Sequence, residues 1–291
     1  MTEPTIDDAR AVLRKHGLPF DSIIAIPHEG VANSVFLAGS VAIRINRSSK
    51  YAAEMLREKV FVPIALATGV LAPKLLVFDD ERDIIDAPTT IYERLPGVTA
   101  SRVELKPSFY DQLGAQIALL HTHARATIEA ETMLDHPNNS NGIAYLRDAY
   151  LVGKLTLEEL VLLERWFNHL LTEFQKDVPR VFLHNDLHLG NLLASEDGSN
   201  LIGILDWSDA AWADPALEFH YLPVNALPMA VTSYRIHRPS ADDKLEARAL
   251  FEAATNAIIR LKKGDPSRYQ ILLEFIDSDP GGEWQQWLPK H

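Results

Sequence analysis

The chain has 291 residues, 47% of them hydrophobic, enough for one large domain or two lobes with their own cores. Its 28 Lys and Arg face 40 Asp and Glu, a net charge of −12 that argues against non-specific nucleic-acid binding and is compatible with a cationic small-molecule partner. It has no cysteine, hence no disulfide framework, and no internal repeat. No apolar run approaches the ~18 residues of a membrane span. With a polar, acidic start at Met1–Pro4, a soluble cytoplasmic protein with no membrane partner is expected.

Thr5-Ile6-Asp7-Asp8 reads as a helix start with Thr5 as N-cap, and Gly17 and Pro19 close the helix. Ile23–Ile26 and Val35–Ala38 read as strands on either side of the loop Pro27–Ser34. Such a loop, with Gly30 at the turn, is either a plain hairpin or a place where backbone N–H groups lie over phosphates. Ser40–Ile45 continues the sheet, and Arg44 within it needs a partner for its charge. Tyr51–Leu66 is helical. Leu75–Phe78 and Ile84–Ile85, around the charged run Asp79–Asp83, read as a hairpin. Thr89–Glu93 is a buried strand, and Pro96-Gly97 breaks the chain at a boundary between lobes.

Beyond it, Pro107-Ser108 opens a helix with Ser108 as cap and Asp111 three residues on. That helix ends near His121, read as a buried, hydrogen-bonded histidine. The patch Asp135–Asn139 is a candidate cleft wall. Thr156–Glu159 is a capping box, followed by an apolar stripe of Leu160, Val161, Phe167, Leu171 and Phe174. Ser240–Asp243 caps a long helix to Leu261, and another helix spans about Arg268–Ile276. The end of the chain, with Glu274, Asp277, Asp279, Glu283, Trp284 and Trp287, is either a surface for a cationic or sugar-like acceptor or simple packing.

The chemistry concentrates in His184-Asn185-Asp186-Leu187-His188-Leu189-Gly190-Asn191, followed by Ile204-Leu205-Asp206-Trp207. Asp186 can accept a hydroxyl proton. Asn191 and Asp206 are the oxygen ligands that hard Mg²⁺ prefers. Asp197-Gly198 between apolar runs marks a hairpin that carries Asn191 and Asp206 at its two ends. A rival reading takes His184 and His188, four apart, as zinc ligands. However, Asn185 stands where a metalloprotease helix has Glu, and Leu189-Gly190-Asn191 continues a helix poorly.

His-x-Asp-x4-Asn followed by Ile-Leu-Asp-Trp resembles the catalytic and metal-binding segments of the aminoglycoside phosphotransferase / choline kinase family. The resemblance runs from about Gly30 to Glu218. It implies an α+β, two-lobed protein-kinase-like fold. A small antiparallel-sheet N-lobe would span residues 1–96 and a mostly helical C-lobe 97–291. The implied activity is NTP- and Mg²⁺-dependent phosphoryl transfer to a hydroxyl of a small molecule, such as an aminoglycoside-like antibiotic, a macrolide, a choline-like amine or a metabolite.

Asp186 would be the base, and Asn191 and Asp206 the metal ligands. Gly30, Asn33 and Ser34 would form the nucleotide loop. Arg44, standing where the family usually has Lys, would be the phosphate-contacting cation. Glu58, with Glu54 as alternative, would be its partner. Glu93 to Leu95 would offer backbone groups to the base edge, behind a screen formed by Tyr92. ATP is the expected nucleotide, with GTP left open by the bulk of Tyr92. His184 would anchor the catalytic loop, His188 would lie near the phosphates, and Asp214 would brace the loop. A nucleotide- or ligand-binding protein without useful turnover is the alternative, favoured by the Arg at the Lys position.

Overall fold

A computed structural model describes residues 3–27, 32–174, 178–240, 244–278 and 282–289. Gly30 and the rest of its loop tip, the expected cap residues Ala241–Asp243, and Asp279 lie outside the described residues.

The first part of the chain runs α1 (Ile6–Lys15), β1 (Ile24–Ile26), β2 (Asn33–Ala38), β3 (Val41–Asn46), α2 (Ala52–Ala67), β4 (Leu75–Asp79) and β5 (Thr89–Glu93). The strands form one antiparallel sheet in the order β1-β2-β3-β5-β4. Alternation along β3 sorts its two faces. Ile43 and Ile45 join Phe36, Ala38 and Ile91 against Ala9, Val12 and Leu13 of α1. Arg44 faces the other way, level with Val35 on β2 and Thr90 on β5, beneath α2. Thr5 and Asp8 form a capping box at the start of α1.

Ile84–Ile85 is not the partner of β4; β5 is. Lys15 holds the intervening acids, with Nζ 2.8 Å from Asp79, 2.9 Å from Glu81 and 2.6 Å from Asp83. This draws the loop toward the end of α1, and Ile84 and Ile85 pack on the α1-side core rather than closing a tight hairpin.

The second part begins with β6 (Val98–Thr99), then α3 (Pro107–His123), α4 (Ile128–Met133), α5 (Gly142–Leu151), α6 (Leu157–Thr172) and β7 (Val181–Leu183). It continues with β8 (Leu192–Ala194), β9 (Leu201–Ile204), β10 (Ala211–Ala213), α7 (Leu227–His237), α8 (Leu245–Lys262) and α9 (Ser267–Asp277). Two small antiparallel sheets, β6-β8-β9 and β10-β7, sit on this helical body.

Ser108 is not a cap. Pro107 takes the first helical position, where its missing N–H costs nothing, and Ser108 Oγ donates to the Ser199 carbonyl at 2.7 Å. On α6 the buried stripe is Leu163, Trp166, Phe167 and Leu170, whereas Val161 is 59% exposed. Trp284 and Trp287 are only 7% and 4% exposed, within the main core, so no aromatic acceptor surface forms there. Among the described residues, no helix is long and apolar enough to cross a membrane.

α3 crosses α7 at Gly114, where a methyl group would lie 2.0 Å from the Ala230 carbonyl oxygen. Gly114→Ala should therefore cost about 1–3 kcal/mol by overpacking, read as a lowered urea midpoint. An unchanged midpoint would mean that the crossing has slack.

Candidate active site

The centre is the loop that leaves β7. Its backbone is held by Glu218, a buried carboxylate that accepts from His184 N at 2.8 Å and Asn185 N at 2.9 Å. His121 Nε2 lies 3.1 Å from the same carboxylate, and its Nδ1 meets the Tyr234 hydroxyl at 3.0 Å, so His121 is the buried, bonded histidine expected. Asn185 sits at φ 67°, the left-handed region that Asn tolerates better than most side chains.

His184 uses both ring nitrogens. Nδ1 accepts from Asp186 N at 3.2 Å and Nε2 donates to the Leu205 carbonyl at 2.8 Å, which fixes one neutral tautomer. Burial pushes its pKa down. The ring anchors the loop and is not free to ligate zinc, and the segment is loop rather than helix. His188 Nδ1 accepts from Gly190 N at 3.0 Å, and its Nε2 lies 3.6 Å from Asp186 Oδ2.

Asp186 Oδ2 accepts from Asn191 Nδ2 at 2.8 Å, and its backbone carbonyl accepts from the same amide at 3.0 Å. The amide is thereby turned with its nitrogen toward Asp186. Burial, then the charges of Asp209 and Asp206, push the Asp186 carboxyl up to about 7, while the hydrogen bond from Asn191 opposes the rise.

The hairpin β8–β9 brings Asp206 back beside this group, and Leu205 N donates to the Asn191 carbonyl at 2.7 Å. Asp206 lies at φ 63°, and Ser208 Oγ donates to its Oδ1 at 3.1 Å. Burial disfavours the charge of Asp206, but Arg44 and Ser208 outweigh it and hold its pKa below the usual range. Arg44 Nη2 lies 3.6 Å from Asp206 Oδ2.

Arg44 donates through Nη1 to both oxygens of Glu58, at 2.5 and 2.7 Å, so Glu58 rather than Glu54 is its bonded partner. Glu58 is 1% exposed and also accepts from Tyr92 Oη at 2.7 Å and Trp207 N at 3.2 Å. Glu54 lies near the same acids, and burial with Asp206 and Asp209 raises its pKa. With its amide oxygen turned inward, Asn33 accepts from Arg44 Nη2 at 2.8 Å.

Ser34 does not join this cluster. It pairs with Ile45, one residue out of step with Asn33 and Arg44, so its side chain lies on the α1 face of the sheet. Glu93 N donates to the Lys74 carbonyl at 2.9 Å, and Leu95 packs over Gly203 of β9, where a methyl group would lie 2.3 Å from its Cδ1.

Several residues of the site carried no sequence signal. Arg57 donates to the carbonyls of Met133, Ser208 and Ala210 at 2.7, 2.5 and 3.1 Å, and to Asp135 at 3.0 Å, clamping the chain after Asp206. Glu218 and Tyr221 meet the loop from more than thirty residues away. A buried Arg248 holds Asp214 at 2.8 Å, and Asn139 donates to Asp214 at 3.1 Å. The Asp135–Asn139 patch is therefore partly absorbed into structure.

The phosphotransferase enzyme family's model matches residues 23–266. No curated sequence matches the chain. Among solved structures, the GDP complex of wild-type aminoglycoside 2'-phosphotransferase-IIIa superposes with a TM-score of 0.66 at 18% identity, covering 94% of this chain and 97% of that one. A spectinomycin phosphotransferase in complex with ADP and spectinomycin gives 0.64 at 13% identity, covering 96% of both chains. A choline/ethanolamine kinase family protein from Mesorhizobium loti gives 0.56 at 18% identity, covering 97% of this chain and 90% of that one. The fold is thus the α+β, two-lobed, protein-kinase-like one.

Glu218→Ala leaves two buried backbone N–H groups and His121 without their acceptor. It should cost about 3–5 kcal/mol, read by chemical unfolding. A loss under about 1 kcal/mol would mean that water replaces the carboxylate freely.

Proposed function

The chain belongs to the phosphotransferase enzyme family, which makes it a small-molecule kinase, and we propose that it uses Mg²⁺ and a nucleoside triphosphate. In this reading it moves the γ-phosphoryl group to a hydroxyl of a small molecule. The observation that carries the reading is one cluster: Asp186 hydrogen-bonded to Asn191, both beside Asp206, with Arg44 3.6 Å from Asp206.

The acceptor oxygen attacks the γ-phosphorus, and its proton goes to Asp186. The bond to the bridging oxygen breaks, and its electron pair leaves with the nucleoside diphosphate. Burial raises the Asp186 pKa, and a cation bound at Asp206 and Asn191 opposes that rise, which keeps the carboxylate ionised to take the proton. Arg44, held bidentate by Glu58, offers its second nitrogen to phosphate oxygens. Asn33 and the Gly30 loop would lie along the same phosphates. The base would lie against Glu93 to Leu95, between an N-lobe of residues 1–96 and a C-lobe of 97–291.

The donors fit Mg²⁺. Asn191 turns its NH₂ toward Asp186, which leaves its amide oxygen to ligate, and Asp206 supplies a carboxylate. The mutual repulsion of Asp186, Asp206 and Asp209 is of the kind a divalent cation relieves. Bound there, Mg²⁺ would supply positive charge against the phosphate oxygens.

The nucleotide is ATP or GTP: one neighbour is an ADP complex and another a GDP complex. The acceptors in the neighbours' names differ, spanning aminoglycosides, spectinomycin and choline or ethanolamine. The resemblance taken alone would give an aminoglycoside-like acceptor, with antibiotic resistance as the role. A cytoplasmic location fits it.

Mg²⁺ with ATP or GTP at ~100 times the dissociation constant should stabilise the protein by ~2.7 kcal/mol in thermal unfolding. Asp206→Ala should remove the Mg²⁺-dependent part. Asp186→Asn should keep the shift yet lower turnover about 10²–10⁴-fold. Activity within about tenfold of wild type would refute the base assignment. A shift with no transfer to any acceptor would favour binding without turnover.

A further inference from the structure

The catalytic loop opens on one side into a cleft of about 470 Å³, lined among others by Ser101, His188, Arg260, Ser267, Arg268 and Ile271. It adjoins the reaction centre through the catalytic loop. His188, on its wall, lies 3.6 Å from the Asp186 carboxylate. Tyr221, whose pKa is raised by burial and then by the Asp186 charge, packs its ring 5.8 Å from the His188 ring, and its backbone carbonyl accepts from Arg268. Arg268, Tyr221 and His188 thus form one connected wall that ends beside Asp186.

The cleft has a charge opposite to that of the protein. In a chain of net charge −12, its described lining contains two arginines and no Asp or Glu. Arg260 has one acidic partner, Asp265, at 3.1 Å. That carboxylate also accepts from Ser267 N at 3.1 Å and Ser267 Oγ at 2.6 Å, so it is shared with the first turn of α9. Arg268 spends a hydrogen bond on a neutral carbonyl, and among the described residues no carboxylate lies within ion-pair distance of it. Burial, then the Arg260 charge beside it, lower the Arg268 pKa to about 10, so it stays protonated at neutral pH. A pair of guanidiniums held together on half-buried ground, against their own repulsion, is a common way to receive a carboxylate or phosphate.

We propose that the acceptor of this enzyme is a hydroxylated small molecule bearing an oxyanion, carboxylate or phosphate, which Arg260 and Arg268 bind while its hydroxyl lies at Asp186. This rests on the phosphotransferase reading of the same site and names its substrate class. A polycationic acceptor meets two positive charges at the same wall, an arrangement that costs affinity. The overall negative charge of the chain says nothing in its favour there, because exposed charges beyond about 8–10 Å are screened.

The test titrates inorganic phosphate, gluconate and kanamycin, at constant ionic strength, into protein saturated with Mg²⁺ and a non-hydrolysable nucleotide, so that the Arg44 side is filled. Binding is read by calorimetry. Phosphate or gluconate should bind the wild type and weaken about tenfold or more in Arg268→Gln and in Arg260→Gln. Arg268→Lys should recover part of the loss. Should Arg268→Gln fail to fold, Arg260→Gln, whose partner Asp265 is at the surface, carries the same comparison.

Binding by phosphate alone assigns a phosphorylated acceptor, and binding by gluconate alone a carboxylated one. Anions that do not bind, or bind every variant equally, overturn the proposal. So does kanamycin binding more tightly than both. If the nucleotide itself gives no Mg²⁺-dependent shift, the phosphotransferase reading fails, and this one with it. If the nucleotide binds and the anions do not, only the anionic acceptor fails.

Discussion

One buried carboxylate joins the parts of this protein that must act together. Glu58, on α2, accepts from Arg44 on β3, from Tyr92 on β5 and from the backbone of Trp207. The first two belong to the five-stranded sheet, and the third directly follows Asp206. A carboxylate removed from water is costly unless charge and hydrogen bonds compensate it. Here four donor contacts, two of them from the Arg44 guanidinium, offset part of that cost, and burial still raises the Glu58 pKa. The orientation of the sheet relative to the Asp206 loop is thereby tied to satisfying one buried group.

The same logic recurs on the far side of the loop. Glu218 ties down the backbone of His184 and Asn185, and His184 in turn ties Asp186 N to the Leu205 carbonyl. Trp207 packs edge-on to the His184 ring at 4.6 Å. Two residues of the loop region, Asn185 and Asp206, sit in left-handed backbone conformations. Such conformations persist where surrounding bonds over-determine them. Held this way, the charges of Asp209 and Asp206 stand close enough to Asp186 to disfavour its ionised form. That is unfavourable for an empty site and suitable for one that receives cations.

Much of this could be read from the sequence because it depends on local patterns. The Asp197-Gly198 turn with apolar flanks set the β8–β9 hairpin, which puts Asn191 and Asp206 at its open end. The capping boxes at Thr5 and Thr156 formed as read. Strand alternation, however, is unforgiving. Ser34 beside Asn33 looked like part of one phosphate loop, yet a shift of one residue sends it to the opposite face. The Trp284 and Trp287 pair looked like a surface, but their burial depends on α6 and α8, which no local pattern near the chain end reveals. Glu218, Arg57 and the Arg260–Arg268 pair were missed for the same reason. Glu218, Arg57 and Arg268 reach backbone groups far away in sequence, and a lone charged residue reads as solvent-exposed until the fold brings its partner to it.

The central claim is that Glu58 and Arg44 act as one unit that presents a cation at the Asp206 side of the nucleotide site. A double-mutant cycle on Mg²⁺–nucleotide affinity, using Arg44→Gln, Glu58→Gln and both together, tests it most directly. If the claim holds, each single variant weakens binding about tenfold or more, and the double variant is no worse than the weaker single one. Losses that simply add, or affinities that stay at the wild-type value, would contradict it.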